Sequence, residues 1–94
     1  METQIQHKPL RETFSKYGFD FKMIKRTKKK AIFAQNKGNK TYNYETILIS
    51  KHDGFYLGEN YIEPSETYPC NSEWGVKGFT FKTLEKAEEK YKTL

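Results

Sequence analysis

Between residues 22 and 40 the chain places seven lysines and one arginine with no acidic residue, and between residues 52 and 76 it places five acids with no lysine or arginine. The chemistry this spacing offers is recognition of charge. Lys22, Lys25, Arg26, Lys28, Lys29 and Lys30 fall around one turn, and Lys37 and Lys40 fall at the next. Cations grouped in this way concentrate polyanions near a surface and displace their counterions, which speeds encounter without specifying a sequence. These eight residues are the candidate contacts to nucleic acid, DNA or RNA. Phe33, Tyr42 and Tyr44 lie among them and are candidate stacking platforms, because single strands bind by laying bases on exposed rings beside a cationic groove. The same lysines would also serve as a solubilising turn that keeps a sheet edge from pairing. Successive hairpin turns of a meander fall at opposite ends of the sheet, so the two lysine groups need not converge.

The acidic stretch supports a second reading. Asp53, Glu59, Glu63, Glu66 and Glu73 alternate with Tyr56, Tyr61, Tyr68 and Trp74, and carboxylates spaced between rings can dock a basic partner protein. The alternative interface is therefore Glu59, Tyr61, Glu63, Glu66, Tyr68 and Trp74, acting as an inhibitor or adaptor of a host protein. Catalytic chemistry finds little footing. His7 and His52 have no spaced Cys or His partner for zinc. Cys70 has no motif around it, and Lys37-Gly38-Asn39-Lys40 lacks the length and the trailing Lys-Ser/Thr of a phosphate loop. The expectation is a non-enzymatic protein with no metal and no cofactor.

The elements that must position these residues are strands. Phe19, Phe21 and Met23 alternate with Asp20, Lys22 and Ile24 as in a half-buried strand, a second strand follows at residues 30–35, and residues 41–51 form the longest one, with Tyr42, Tyr44, Thr46, Leu48 and Ser50 on one face and Asn43, Glu45, Ile47 and Ile49 on the other. Asp53-Gly54 signals a hairpin turn. Residues 9–18 admit either a short helix ended by Gly18 or a hairpin with a type I turn at residues 15–18, the hairpin being preferred. A short strand and an ordered loop are expected over residues 55–75. Thr83 is placed to cap a C-terminal helix whose stripe is Leu84, Ala87, Tyr91 and Leu94, with Glu85 early and Lys90 and Lys92 late, as the helix dipole prefers. The predicted fold is α+β: an antiparallel, four- to five-stranded meander with the C-terminal helix packed on one face. Residues 1–8 read as a flexible tail and 9–94 as a single domain.

At 94 residues, length allows one domain, and a mean hydropathy of −0.95 is offset by seven Phe, seven Tyr and one Trp, so the core rests on rings rather than on many leucines. A single cysteine and no apolar signal segment predict a cytoplasmic protein, and no apolar run approaches the roughly 20 residues needed to cross a bilayer. An exposed edge strand would allow a homodimer.

Tyr68-Pro69, Trp74-Gly75, Gly78-Phe79-Thr80-Phe81 and Leu84-Glu85-Lys86-Ala87, with Tyr44-Glu45 in the long strand, resemble a set of small uncharacterised proteins of bacteriophages and prophages, from about Thr13 onward. The resemblance brings no functional residues. It implies a bacterial cytoplasm, a role in binding, and a setting of infection. The run at residues 25–30 is richer in lysine than the resemblance implies, so a function carried there is particular to this chain.

Overall fold

The computed structural model describes residues 6–94. In chain order the strands are β1 (Thr13–Lys16), β2 (Phe19–Arg26), β3 (Lys30–Lys37), β4 (Lys40–Leu48), β5 (Ser50–His52), β6 (Phe55–Leu57), β7 (Asn60–Ile62), β8 (Ser65–Thr67) and β9 (Gly78–Phe81), followed by the helix α1 (Leu84–Thr93). Five of them form one antiparallel sheet in the order β1-β2-β3-β4-β9, while β5 with β8 and β6 with β7 make two separate ribbons. The architecture is the expected α+β meander with a C-terminal helix on one face. Among the described residues no helix is long and apolar enough to cross a membrane.

The central strand explains the layering. In β3, Ala31, Ile32, Phe33 and Ala34 are buried in succession, a pattern that requires cover on both faces of the sheet. On one face Thr46, opposite Ile32, donates its hydroxyl to the Ala87 carbonyl oxygen of α1 at 2.8 Å. Lys25 pairs with Glu88 at 3.1 Å, and Lys30 donates to the Tyr91 and Leu94 carbonyl oxygens at 2.6 and 3.2 Å, closing the C-terminal end of the helix. The Thr83 hydroxyl accepts the Lys86 N–H at the other end. On the opposite face an aromatic stack replaces a helix. Phe14 stacks on Phe21 at 4.9 Å, Tyr68 stands edge-on to Phe14 and to Phe33 at 5.2 Å each, and Trp74 lies over Tyr68 at 6.3 Å. Gly78 is where this layer meets the sheet: a Cβ there would run into the Trp74 ring.

Three local readings are refined by tertiary pairing. Residues 9–18 do not form a helix; β1 and β2 are a hairpin whose two-residue turn is Tyr17-Gly18, closed by Lys16 opposite Phe19. Both turn residues have positive φ, 55° and 78°, which makes it a type I′ turn matched to strand twist rather than a type I turn with a bulge. The long strand of residues 41–51 breaks at Ile49, whose N–H donates to the Lys29 carbonyl at 2.7 Å because β3 has ended at Lys30, and β5 then pairs with β8. The segment expected as loop carries β7, β8 and a single 3-10 turn at Asn71–Glu73. Of the expected tail, residues 1–5 lie outside the described residues, while Lys8 exchanges backbone bonds with Pro64 and Glu66 at 3.0 and 2.8 Å.

Candidate nucleic-acid interface

The eight sequence-predicted cations divide into three groups. Lys25, Arg26 and Lys30 are engaged internally. Arg26 donates twice to Glu66, at 2.7 and 2.8 Å, and Glu66 also accepts the Leu10 N–H at 3.0 Å. The guanidinium holds the Glu66 carboxyl below its ordinary range. Lys25 and Lys30 both lie over the Tyr91 ring, at 4.7 and 4.6 Å. Lys22 is exposed on the helix-side face of β2, and Lys28 and Lys29 are exposed in the β2–β3 turn. Lys37 and Lys40 close the β3–β4 turn at the other end of the sheet. From Lys30 to Lys37 a strand rise of ~3.4 Å per residue separates the two ends by about 24 Å, roughly three screening lengths at physiological salt. The lysines do not converge.

What the sequence analysis missed stands at the Lys37 end. The β1–β2 turn lies there too, and it brings Lys16 into the group. Lys16 lies over the Tyr17 ring at 5.1 Å, Lys37 over Phe19 at 5.9 Å and Lys40 over Tyr42 at 5.1 Å, with Phe19 edge-on to Tyr42 at 5.7 Å. Among the described residues none of these three lysines has an ion-pair partner. Of the expected stacking platforms, Phe33 is fully buried, Tyr44 is half-buried against Phe81 on the helix side, and Tyr42 alone is open to solvent. Lys16 precedes the basic run and the local pattern offers Tyr17 only a helix face or a turn position, so the pairing of turns across the sheet is the signal required.

Next to this cluster the sheet carries a pocket of about 230 Å³, lined by Phe21, Gln35, Glu45 and Thr80 of the sheet and by Tyr68, Asn71 and Trp74 of the covering layer, with Lys16 and Tyr17 also in its wall. Glu45 is its one carboxylate. Burial pushes the Glu45 carboxyl above its ordinary range, opposed by the Tyr68 hydroxyl that donates to it, and burial together with that carboxylate raises the Tyr68 phenol in turn. Trp74 completes the chain by donating Nε1–H to Thr80 at 3.1 Å. A larger cleft of about 280 Å³ lies on the same face, lined by Pro9, Leu10, Phe14, Glu66 and Tyr68 among others. Its carboxylate, Glu66, is already occupied by Arg26 and the Leu10 N–H.

No family model, curated protein or solved structure matches the chain.

The alternative interface separates into two parts. Tyr68 and Trp74 are packing residues, and Glu66 is held by Arg26. Glu59, Tyr61 and Glu63 are exposed, on or beside a ribbon formed by β6 and β7 that also presents Phe55, Tyr56 and Leu57 to solvent. The ribbon is pinned at its base by His52, whose Nδ1 accepts the Gly54 N–H and whose ring meets Phe55 edge-on at 4.9 Å. His7 meets Asp53 at 2.7 Å. Cys70 is an exposed free thiol at the start of the 3-10 turn, and among the described residues no group of His, Cys, Asp or Glu is arranged for a metal ion. The edge strands of the main sheet, β1 and β9, are four residues each, a short length that limits strand addition by a second copy.

Tyr17 is 74% exposed and has a φ of 55°, a conformation that favours Gly or Asn and penalises a bulky side chain by about 1–2 kcal/mol. The ring's contacts, Lys16 at 5.1 Å from its centroid and the Asn71 amide at 3.4 Å from its hydroxyl, are solvent-exposed and offset only part of this. Replacing Tyr17 by Asn should therefore raise the melting temperature by about 4–8 °C, the shift that ~1 kcal/mol produces in a domain of this size, as measured by thermal denaturation. If the exposed ring serves binding, the same variant binds more weakly. A melting temperature that falls would show that Tyr17 contributes to stability.

Proposed function

We propose that this protein is a non-enzymatic, phage-type accessory protein that binds single-stranded nucleic acid through the Tyr17 end of its sheet. The observation that carries this reading is the coincidence of three lysines without ion-pair partners and three aromatic rings, two of them exposed, at one end of one sheet face. Ammonium groups at the ring edges track a phosphate backbone while bases stack on the rings, each stacked base contributing about 1–3 kcal/mol. Lys28, Lys29 and Lys22 would add long-range attraction without direct contact.

Fluorescence anisotropy of labelled single-stranded and duplex DNA and RNA, at low and physiological salt, tests it. The expected result is a preference for single strands, an affinity that falls linearly on logarithmic axes with salt, and a slope set by the few phosphates contacted. Equal or absent binding of both forms at physiological salt overturns it. A second reading rests on the β6–β7 ribbon, whose exposed Tyr56, Leu57 and Tyr61 beside Glu59 and Glu63 suit a basic protein surface. It expects a stoichiometric complex with a partner protein that survives truncation of the lysine cluster and is lost when Tyr56 and Tyr61 are replaced by Ser.

A further inference from the structure

We infer that the pocket beside Trp74 receives one unstacked guanine base. Its size is the first argument. About 230 Å³ holds some seven or eight waters at ~30 Å³ each and is smaller than the roughly 300–1,000 Å³ of sites for drug-sized ligands, so it admits a single flat ring system rather than a whole nucleoside polyphosphate. Charge is the second. Glu45 in the lining repels phosphate, so a phosphate stays on the Lys16 side and the part that enters must be neutral.

Hydrogen bonding then selects among neutral heterocycles. Glu45 takes hydrogen bonds from the Tyr68 and Thr80 hydroxyls, which leaves two of the roughly four acceptor positions of a carboxylate for a ligand. Gln35 has its amide oxygen occupied by the Asn43 amide at 2.9 Å, which leaves its N–H₂ group as a donor in the pocket lining. Lys16 supplies a cation in the wall. Guanine presents two adjacent N–H groups at its Watson–Crick edge for a carboxylate, with O6 and N7 beside them for a lysine. Adenine offers one amino group and no second N–H at that edge, and thymine and uracil offer a single imide N–H between two carbonyls that Glu45 would repel. Cytosine offers the lysine its N3 and O2 but gives the carboxylate only one amino group, one N–H donor site fewer than guanine. Tyr17, held at positive φ in the wall with its hydroxyl 3.4 Å from the Asn71 amide, stands where it can stack on the neighbouring base of the strand.

This inference rests on the single-strand reading for its source of guanine, and the same chemistry would equally accept a free guanine nucleotide. The experiment separates the two. Trp74 is the one tryptophan of the chain and lines the pocket, so its fluorescence excited away from tyrosine reports occupancy. The intact protein is titrated with GMP, AMP, CMP and UMP, and separately by anisotropy with labelled (dT)12 and with the same oligomer carrying one central dG, dA or dC. The expected results are selective quenching by GMP and a Kd about tenfold lower for the dG oligomer than for the others, the order of discrimination a matched pair of base-edge contacts provides. Glu45→Gln should erase that difference while leaving (dT)12 affinity within about twofold, with circular dichroism confirming the fold. The base series on the unaltered protein decides the matter even if that variant does not fold. Equal affinity for all oligomers with no selective quenching overturns the pocket and leaves strand binding intact. GMP-selective quenching with no oligomer binding supports the pocket and overturns the single-strand reading instead. Failure of every ligand overturns both.

Discussion

Reversing Lys16, Lys37 and Lys40 to Glu should reduce single-strand affinity by about 100-fold or more at physiological salt and flatten the salt dependence. Each ammonium–phosphate contact in a watery interface is worth about 1 kcal/mol, and three together give roughly 3 kcal/mol, or two decades in Kd. The logarithmic salt slope for single strands changes by ~0.7 for each phosphate contact, so its magnitude should fall by about 2. The informative comparison is Lys28→Glu with Lys29→Glu. That pair carries two-thirds of the charge change of the triple variant, but both side chains sit in the β2–β3 turn at the far end of the sheet. If binding obeyed net charge alone, the pair would lose about two-thirds as much binding free energy. A local site at the Tyr17 end predicts a loss of no more than about threefold, because the charges are separated by several screening lengths. Anisotropy titrations of the three proteins on one oligonucleotide settle which holds, and a larger loss in the β2–β3 turn variant would move the site there.

The second large effect is on stability and its pH dependence, and it centres on Tyr68. This ring joins Phe14, Phe21, Phe33 and Trp74 into one layer and donates its hydroxyl to Glu45. Tyr68→Ala should cost about 3–5 kcal/mol, the usual range for removing a large ring from a core, against a total of roughly 5–15 kcal/mol for a domain. Tyr68→Phe keeps the ring and deletes one hydrogen bond to a buried carboxylate, a loss of about 1–3 kcal/mol near neutral pH.

Its pH signature is distinctive. A carboxyl whose folded pKa lies above its unfolded value binds its proton longer in the folded state, so its contribution to stability is full below the ordinary carboxylate range and is lost as pH rises through the raised value. Glu45 behaves in this way, and burial is the cause. The Tyr68 hydroxyl opposes that shift, so Tyr68→Phe should raise Glu45 further and widen the gap between variant and wild type as pH increases from the carboxylate range towards neutrality. Glu66 has the opposite sign. Arg26 holds it low, its contribution is present above the ordinary range, and it is lost as pH falls through the depressed value. The acid limb should therefore be the same in both proteins. Urea unfolding across pH 3–8 reads both limbs, and a wild-type-to-variant gap that does not grow with pH would show that Glu45 is uncharged in the folded protein at neutrality.

The sequence determined much of the fold because its signals were local. Alternation in β2 and β4 and the Thr83 cap followed by Leu84, Ala87 and Tyr91 each depend on residues a few positions apart, and each appears in the structure where the pattern places it. The expected Asp53-Gly54 hairpin does not form, because β5 pairs with β8 and the hairpin turn lies at Gly58-Glu59 between β6 and β7. The segregation of charge was equally plain. What local pattern could not supply was the assignment of individual cations. Arg26 meets Glu66 across 40 positions and Lys25 meets Glu88 across 63, so a run that looks uniformly free along the chain is partly consumed by its own fold. The reverse holds for Lys16, Tyr17, Phe19, Lys37, Lys40 and Tyr42, which an antiparallel meander gathers because alternate turns share one end of the sheet. Likewise Trp74 and Tyr68 look like surface rings in a polar segment and prove to be the lid of the second sheet face. Periodicity tells which side of a strand a residue occupies, but which residue from elsewhere covers that side is set by the whole chain closing on itself, and that decision made both the core and the candidate site.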